Sequence, residues 1–406
     1  MKKTKKFSKL LALVLAVVMM VGMAVTASAD DSHTNTPSQT NIPYWESNSN
    51  TLTIQKTLYK RKNVYTPNVT FNFEITPASD VVEGTDTYDG ELLYNGISSA
   101  ISASTTIAFS SDIASLSETS VEKYANIPID VSKFSHAGVY KYQVKESTAS
   151  GDQYEGISYD NNTYDLYIFV VYDTTSRGYK VLYTIMSVST TKYSGLTNTY
   201  GVVAPTDPSQ DPTPNGTVND LIITKVTTGA YGDVTEDFKF NVSVNGGTGN
   251  TSEKYYYEVG TYSTSTNTFS AYLGTEAENG TITSNSSSVE INLKNTEAIK
   301  IYGLSENDIV EITEIVANSN GYTTVTSSTG VTTLAGYSSD SGSISGKVNT
   351  DNQASSAQVG LVTFTNTKNS ITPTGVILTY GPYAAMVVIA LGACVVFFRK
   401  RRSTID

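Results

Sequence analysis

An alternation of apolar and polar residues with a period of two, between residues 51 and 367, most constrains the fold of this chain. Thr, Val, Ile and Tyr dominate the alternating segments, and these residue types are enriched in strands. Clear examples are residues 51–56, 71–75 and 164–170. Long helical periodicity is absent between the two ends. Because short strands separated by turns favour antiparallel sandwiches, the sequence predicts an all-β protein.

A proline-rich segment divides the alternating region into two predicted domains, residues 51–200 and 217–368. The segment, residues 201–216, contains four prolines and predicts a semi-stiff linker. Each domain is about 150 residues long, which is a normal domain size. Residues 30–50 lack periodicity and predict a flexible N-terminal arm. Residues 327–360 are rich in Ser, Gly and Thr, so we expect long surface loops there.

The two predicted domains repeat one pattern of three polar residues. Each has a Lys in its opening strand, a Glu in a later strand and an Asn in a closing Thr-Asn-Thr. Lys and Glu lie 90 residues apart in the first domain and 89 in the second, and Glu and Asn lie 52 apart in both. In chain order the residues are Lys56, Glu146 and Asn198, then Lys225, Glu314 and Asn366. We infer two diverged copies of one fold.

Strand parity predicts that all six side chains point into the core, because side chains alternate between the two faces of a strand. Leu52 and Ile54, for example, fall on the same face as Lys56. Glu314 likewise shares its face with apolar neighbours, whereas Glu311, a rival candidate, falls on the opposite face. Burying an isolated ammonium or carboxylate costs several kcal/mol, so something must compensate.

Three explanations compete for these inward polar groups. One is a buried Lys–Glu salt bridge with an Asn nearby, and another is a wrong parity assignment with lysines that reach solvent along their stems. The third is an intramolecular isopeptide bond. Burial favours a neutral Lys amine, which is a nucleophile. A protonated Glu would then donate to the Asn carboxamide oxygen and shuttle protons as ammonia leaves.

These segments resemble the FctA-type major (backbone) pilins of Gram-positive bacteria. The resemblance rests on residues 138–146, residues 156–160 and the two Thr-Asn-Thr closures, and it covers nearly the whole mature chain. It implies two tandem Ig-like, CnaB-related antiparallel β-sandwich domains with autocatalytic Lys–Asn isopeptide bonds. By the same resemblance Lys56 joins Asn198 with Glu146 as the catalytic residue. The corresponding set in the second domain is Lys225, Asn366 and Glu314.

The chain ends in a short motif, an apolar stretch and a basic cluster. The motif is Ile371, Thr372, Pro373, Thr374 and Gly375. The apolar stretch is long enough to cross a bilayer, and the basic cluster should stay on the cytoplasmic side. This order resembles the cell-wall sorting signal of Gram-positive surface proteins, which a sortase cuts between Thr and Gly. The motif departs from Leu-Pro-x-Thr-Gly and leaves the sortase class open. The alternative is a plain C-terminal membrane anchor.

The other end of the chain, residues 1–29, predicts a secretory signal peptide. Five lysines precede an apolar core, residues 10–25, and a small-residue cleavage site. The whole chain carries 27 Lys and Arg against 38 Asp and Glu. Processing to about residues 30–374 would remove nine basic residues and Asp406, which leaves 18 Lys and Arg against 37 Asp and Glu. So acidic a chain repels nucleic acid and anionic lipid surfaces.

The remaining inventory of reactive side chains argues against metal or hydrolytic catalysis. His33 and His136 are the only histidines, too few for a zinc cluster or a Ser-His-Asp triad. Cys394 is the only cysteine and lies in the predicted membrane segment. We therefore expect no metal, no cofactor and no enzymatic activity beyond the autocatalytic bond.

The resemblance to backbone pilins also implies an acceptor lysine. Its amine attacks the sortase-bound Thr374 of another subunit, and in the family it lies shortly before the closing strand of the first domain. Lys192 occupies that place here, and Lys180 and Lys123 are the alternatives.

Together these features predict a secreted, cell-wall-anchored backbone subunit that polymerises into a covalent pilus, or fimbrium. The membrane anchors it only until a sortase cleaves it. Its expected partners are other copies of itself, pilus-type and housekeeping sortases, and peptidoglycan, with minor pilins and a host receptor as further candidates. The alternative function is a cell-wall-anchored adhesin or minor pilin that does not polymerise.

Overall fold

The structure is a computed structural model in which we describe residues 50–147, 153–193, 195–207, 209–247, 253–274, 278–315, 319–329, 335–338, 343–347, 359–369 and 382–394. The predicted signal peptide, nearly all of the N-terminal arm and the sortase motif lie outside these ranges. Residues 382–394 are helical. Within the described ranges, no helix combines the length and apolar character needed to cross a membrane.

Two sheets build the first body of the chain. Short 3₁₀ helices span Ile113–Ser117 and Val131–Lys133. Its strands are β1 (Thr51–Tyr59), β2 (Val69–Pro77), β3 (Thr87–Tyr88), β4 (Glu91–Asn95), β5 (Ser104–Phe109), β6 (Ser120–Pro128), β7 (Gly138–Ser147), β8 (Ile157–Ser158), β9 (Thr163–Asp173), β10 (Gly178–Val188), β11 (Thr191–Tyr193) and β12 (Gly195–Tyr200).

A short hairpin and a second body follow. The hairpin pairs β13 (Val202–Val203) with β14 (Thr213–Pro214), inside the segment expected to be a linker. The strands of the second body are β15 (Val218–Thr228), β16 (Phe238–Asn245), β17 (Lys254–Ser263), β18 (Thr268–Ala271), β19 (Asn279–Thr283), β20 (Val289–Leu293), β21 (Glu297–Ser305), β22 (Ile309–Glu314), β23 (Thr323–Thr329), β24 (Ala335–Ser338), β25 (Ser343–Lys347) and β26 (Val359–Thr367).

Each body is a sandwich of two sheets with the apolar core between them. In the first body a four-stranded sheet, β6-β1-β12-β8, packs on an eight-stranded sheet with the path β11-β10-β9-β7-β2-β5. In the second, a seven-stranded sheet with the path β18-β17-β21-β15-β26-β23 packs on a five-stranded sheet, β20-β16-β22-β25-β24. The predicted all-β class is confirmed.

The first and last strands of each body pair in parallel, although most neighbouring strands are antiparallel. β1 pairs with β12 and β15 pairs with β26. The rest of each body lies in sequence between the two paired strands. A covalent bond across either pair would therefore enclose nearly a whole domain.

The expectation of long surface loops over residues 327–360 is wrong for the described part of that range. β23 continues through Thr329, and β24 and β25 also lie there. β25 pairs with β22, and β23 pairs with β26, so main-chain hydrogen bonds hold these strands in the sheets. Their few apolar side chains, such as Ile344, gave too weak an alternation for the sequence to predict them.

A charged cluster joins the two bodies. The Arg61 guanidinium lies 2.7 and 3.0 Å from the two carboxylate oxygens of Asp220, and the Lys300 amine lies 3.2 Å from one of them. Burial alone would raise the pKa of Asp220, but the neighbouring Arg61 and Lys300 hold it below its usual value. The buried carboxylate therefore stays ionised and connects both bodies.

Close backbone packing accompanies this cluster. Val218, the first residue of β15, is part of the apolar core of the first body. It packs on Gly156 and Gly201, which have φ angles of +80° and +67°. A side chain at either glycine would be strained by the backbone and would collide with Val218. The second body thus begins inside the packing of the first.

Asp220→Ala should destabilise the junction, because it leaves a mostly buried guanidinium without its carboxylate. Loss of one partner of a buried pair costs about 3–5 kcal/mol. We expect a lower melting temperature and, by small-angle X-ray scattering, a wider range of interdomain distances. The folded-state pKa of Asp220 lies below its usual value, so the stabilisation from this carboxylate is complete above the usual value and is lost as the pH falls through the folded value.

Lys62→Ala is the matched control for the junction. The Lys62 amine lies 3.2 Å from an Asp211 carboxylate, and both side chains are exposed. Exposed pairs contribute about 0–1 kcal/mol, so this variant should resemble the wild type. Equal melting temperatures and scattering profiles for Asp220→Ala and Lys62→Ala would show that the charged cluster does not fix the junction.

Candidate functional sites

The first site lies between the two sheets of the first body. The Lys56 amine lies 2.6 Å from Oε2 of Glu146, and the Asn198 amide nitrogen donates to Oε1 of the same carboxylate at 2.8 Å. All three residues are at most 2% exposed. One carboxylate therefore bridges an amine and an amide inside the core.

The second site repeats this arrangement with one difference. The Lys225 amine lies 3.0 Å from Oε1 of Glu314, and the Asn366 amide nitrogen donates to that same oxygen at 2.6 Å. Oε2 of Glu314 and Oδ1 of Asn366 are buried, and neither has a hydrogen-bond partner among the described residues. All three residues are again at most 2% exposed.

Strand register explains why the same three residues meet twice. Lys56 pairs with Leu196, two residues before Asn198 on β12. In the second body the Lys in β15 likewise pairs with the residue two before the Asn in β26. Residues two apart share a strand face, so Lys and Asn lie diagonally on the inner face of one sheet. The Glu reaches them from the opposite sheet, on β7 in the first body and β22 in the second.

Aromatic rings enclose both amines. The Lys56 amine lies 4.9 Å from the ring centre of Phe71, and the Lys225 amine lies 4.0 Å from that of Phe238. Burial lowers the pKa of Lys56 despite the opposing effect of Glu146. Burial likewise lowers the pKa of Lys225 to about 8 against the opposing effect of Glu314. The neutral, nucleophilic amine is therefore more accessible than in an ordinary lysine.

All six residues that strand parity predicted to point inward do so, and they meet in two sets of three, one set in each body. Neither lysine reaches solvent along its stem, since both are fully buried. Glu311 is exposed and lies away from the second site, as its strand parity implied. The chemical detail differs from the sequence hypothesis in both sites, because Glu146 and Glu314 face the nitrogen of the Asn side chain and not its oxygen.

The first site contains a further group that sequence reasoning did not assign. The main-chain N–H of Asp160 donates to the Asn198 oxygen at 2.8 Å. The Tyr164 hydroxyl in turn donates to the Asp160 carboxylate at 2.5 Å. Asp160 is the last residue of segment 156–160, one of the segments on which the family resemblance rests. The resemblance therefore drew attention to this segment but assigned no role to Asp160.

The candidate acceptor lysines lie outside both sites. Lys192 is exposed on β11, which forms one edge of the eight-stranded sheet, where it pairs with Ser187. Lys180 is partly buried on β10, and Lys123 is exposed on β6. Thr374 and the rest of the sortase motif fall outside the described residues. In the part of the chain that the structure describes, no cluster of three or more His, Cys, Asp or Glu could hold a metal ion.

Comparison with known proteins places this architecture among pilins. Residues 52–201 match the family model of the Spy0128-like isopeptide containing domain. Residues 219–368 match a model described only as a domain of unknown function. A curated relative, a pilin of Streptococcus pyogenes serotype M1, is 27% identical over 275 residues, which are 66% of this chain and 69% of that protein.

Solved structures agree at the level of the fold. The crystal structure of the major pilin from Streptococcus pyogenes has a TM-score of 0.52 at 22% identity, over 80% of this chain and all of the other. A mutant of that pilin gives a TM-score of 0.51 at 21% identity, with the same coverage.

The two tandem sandwiches of this chain share the fold of the major pilin from Streptococcus pyogenes. The first body is similar to the Spy0128-like isopeptide containing domains, and the chain is a relative of a Streptococcus pyogenes pilin.

Proposed function

We propose that this chain is the backbone subunit of a sortase-assembled pilus and that each of its two domains closes an intramolecular Lys–Asn isopeptide bond. The observation that carries the proposal is the Glu carboxylate that bridges a buried Lys amine and a buried Asn amide, found once in each body. The match of the first body to the model of an isopeptide containing domain supports the proposal further.

The bridging carboxylate suits the chemistry of amide exchange. The Lys amine loses a proton to the Glu and attacks the Asn side-chain carbon, and the Glu returns a proton to the departing nitrogen. Ammonia leaves and a neutral amide joins the first strand to the last. The fold holds the reacting groups together, so the entropic part of the barrier is already met.

A buried salt bridge alone explains less of this arrangement. An ion pair needs a carboxylate and an ammonium but no amide, whereas both sites hold the Asn nitrogen against the same carboxylate. Replacing a buried ion pair by apolar residues is often neutral or stabilising. The repeated third residue is therefore better explained by a reaction than by electrostatic stabilisation.

Assembly would use groups outside the two sites. A sortase would cleave between Thr374 and Gly375, hold Thr374 as a thioester and transfer it to an amine of the next subunit. Lys192 suits that amine because it is exposed on a sheet-edge strand. Transfer to peptidoglycan would anchor the finished pilus to the wall, and minor pilins or a host receptor are further candidate partners. The chain would then be a sortase substrate and not an enzyme.

The mature protein should lack the mass of two ammonia molecules relative to its sequence, and intact-mass spectrometry measures this directly. Glu146→Ala and Glu314→Ala should each restore one ammonia, because the proton shuttle is lost while both reactants remain. Glu74→Ala and Glu311→Ala are matched controls, because both side chains are exposed. Glu311 lies on the strand of Glu314, and Glu74 lies on β2, which pairs with the strand of Glu146. Both variants should keep the full deficit. An unmodified mass for the wild type would refute the bonds.

Loss of one bond should also destabilise its domain. A crosslink between Lys56 and Asn198 closes a loop of about 140 residues, and the chain-entropy model gives a disulfide over such a loop about 5 kcal/mol. Asn198→Ala should therefore lower the melting temperature and expose the first domain to protease, while the second domain stays resistant. A melting curve that matches the wild type would contradict a stabilising role for the crosslink.

Lys192→Ala should abolish the high-mass ladder seen after boiling in detergent, while the monomer stays folded, because Lys192 takes no part in either site. Lys192→Arg should fail too, since a guanidinium stays protonated and is not a nucleophile. Lys180→Ala and Lys123→Ala are the controls and should polymerise normally. A ladder that persists without Lys192 would transfer the role to one of these lysines. No ladder in the wild type with its sortase present would favour the adhesin or minor pilin.

A further inference from the structure

The two sites differ in how they hold the reacting asparagine. In the first, the main-chain N–H of Asp160 lies 2.8 Å from the Asn198 oxygen. A main-chain N–H can only donate, so its partner must be the oxygen of the side-chain amide. The nitrogen of Asn198 therefore faces Glu146, which accepts from it at 2.8 Å. The reacting amide is fixed in one orientation before any bond forms.

A local network holds the Asp160 N–H in place. β8 ends at Ser158, after which the chain leaves the ladder and turns toward the core. The Asp160 carboxylate accepts from the main chain and the side chain of Asn162, both at 2.9 Å, and from the Tyr164 hydroxyl at 2.5 Å. Asp160 is itself about 9% exposed. The donor is thus part of a turn stabilised by three hydrogen bonds.

The second site has no such donor among the described residues. Oδ1 of Asn366 is buried without a hydrogen-bond partner, as is Oε2 of Glu314. The strand equivalent to β8 is β23, which stays paired with β26 over seven residues and places Thr324 opposite Asn366. The chain therefore continues along the ladder where the first body turns inward.

We propose that the main-chain N–H of Asp160 is the oxyanion donor of the first site, a catalytic group without a counterpart among the described residues of the second. This inference rests on the isopeptide bonds proposed above. The neutral Lys56 amine attacks Cγ of Asn198, and the electron pair of the C=O bond moves to Oδ1, where the Asp160 N–H stabilises the negative charge. Glu146 takes one proton from the attacking nitrogen and delivers one to the departing nitrogen. The oxyanion collapses, the C–N bond breaks and ammonia leaves.

The asymmetry has a kinetic consequence. Loss of a single oxyanion donor slows an acyl transfer by about 100-fold or more. The described part of the second site holds no donor against Oδ1 of Asn366. The first bond should therefore form faster than the second in the same molecule.

The test follows both bonds in one full chain. A pulse of isotopic lysine during cell-free translation is followed by a chase, acid quenching, digestion and quantification of the crosslinked peptides. Asp160→Pro removes the N–H, whereas Asp160→Ala keeps it and removes only the carboxylate. We expect Asp160→Pro to slow the Lys56–Asn198 bond by about 100-fold relative to Asp160→Ala, with the Lys225–Asn366 bond unchanged in both variants.

The measured rates separate the oxyanion role of the Asp160 N–H from the existence of the isopeptide bonds. Equal rates for the first bond in Asp160→Pro and Asp160→Ala would overturn the oxyanion role while leaving the isopeptide bonds intact. Absence of both bonds in the wild type would instead refute the proposed function. If circular dichroism and protease resistance show that Asp160→Pro does not fold, the rates at which the two bonds form in the wild type test the oxyanion role instead. A faster first bond supports the proposal, and a first bond that forms as slowly as the second, or more slowly, overturns it.

Discussion

The contact between a fully buried lysine amine and a carboxylate is the interaction on which each domain depends. An ammonium loses its hydration when it enters an apolar core. Here the Lys56 amine faces the ring of Phe71 and the Lys225 amine faces the ring of Phe238, and neither ring can replace the lost water. The carboxylate compensates in part, but it is buried as well. Burial lowers the pKa of both lysines, and conversion of each lysine into an amide would remove its charge permanently.

Strand topology determines how much of the domain a bond between Lys and Asn would enclose. Because the first and last strands pair in parallel, nearly every other strand of the domain lies between them in sequence. A bond across this pair resists separation of the chain ends, which is the direction in which tension along a polymer would act. The Arg61–Asp220 contact and the packing of Val218 connect the first body to the second.

The sequence was sufficient for the fold class and for the inward orientation of the six site residues, since strand parity placed Lys, Glu and Asn with apolar neighbours. Their grouping into two sets came from the repeated spacing and the family resemblance. Other features depend on tertiary context that alternation does not encode. β24 and β25 are held by main-chain pairing and contribute few apolar side chains, so their residues resembled loops. The contact from the Asp160 N–H was not predictable because it depends on a turn and on a main-chain group, and residue identity does not specify either.

The central claim concerns particular residues, so peptide mapping of the mature protein tests it most directly. After proteolysis, tandem mass spectrometry should find the peptide with Lys56 joined to the peptide with Asn198, and the peptide with Lys225 joined to that with Asn366, each pair lighter by one ammonia. Recovery of all four as separate, unmodified linear peptides would contradict the account and would leave two buried salt bridges in its place.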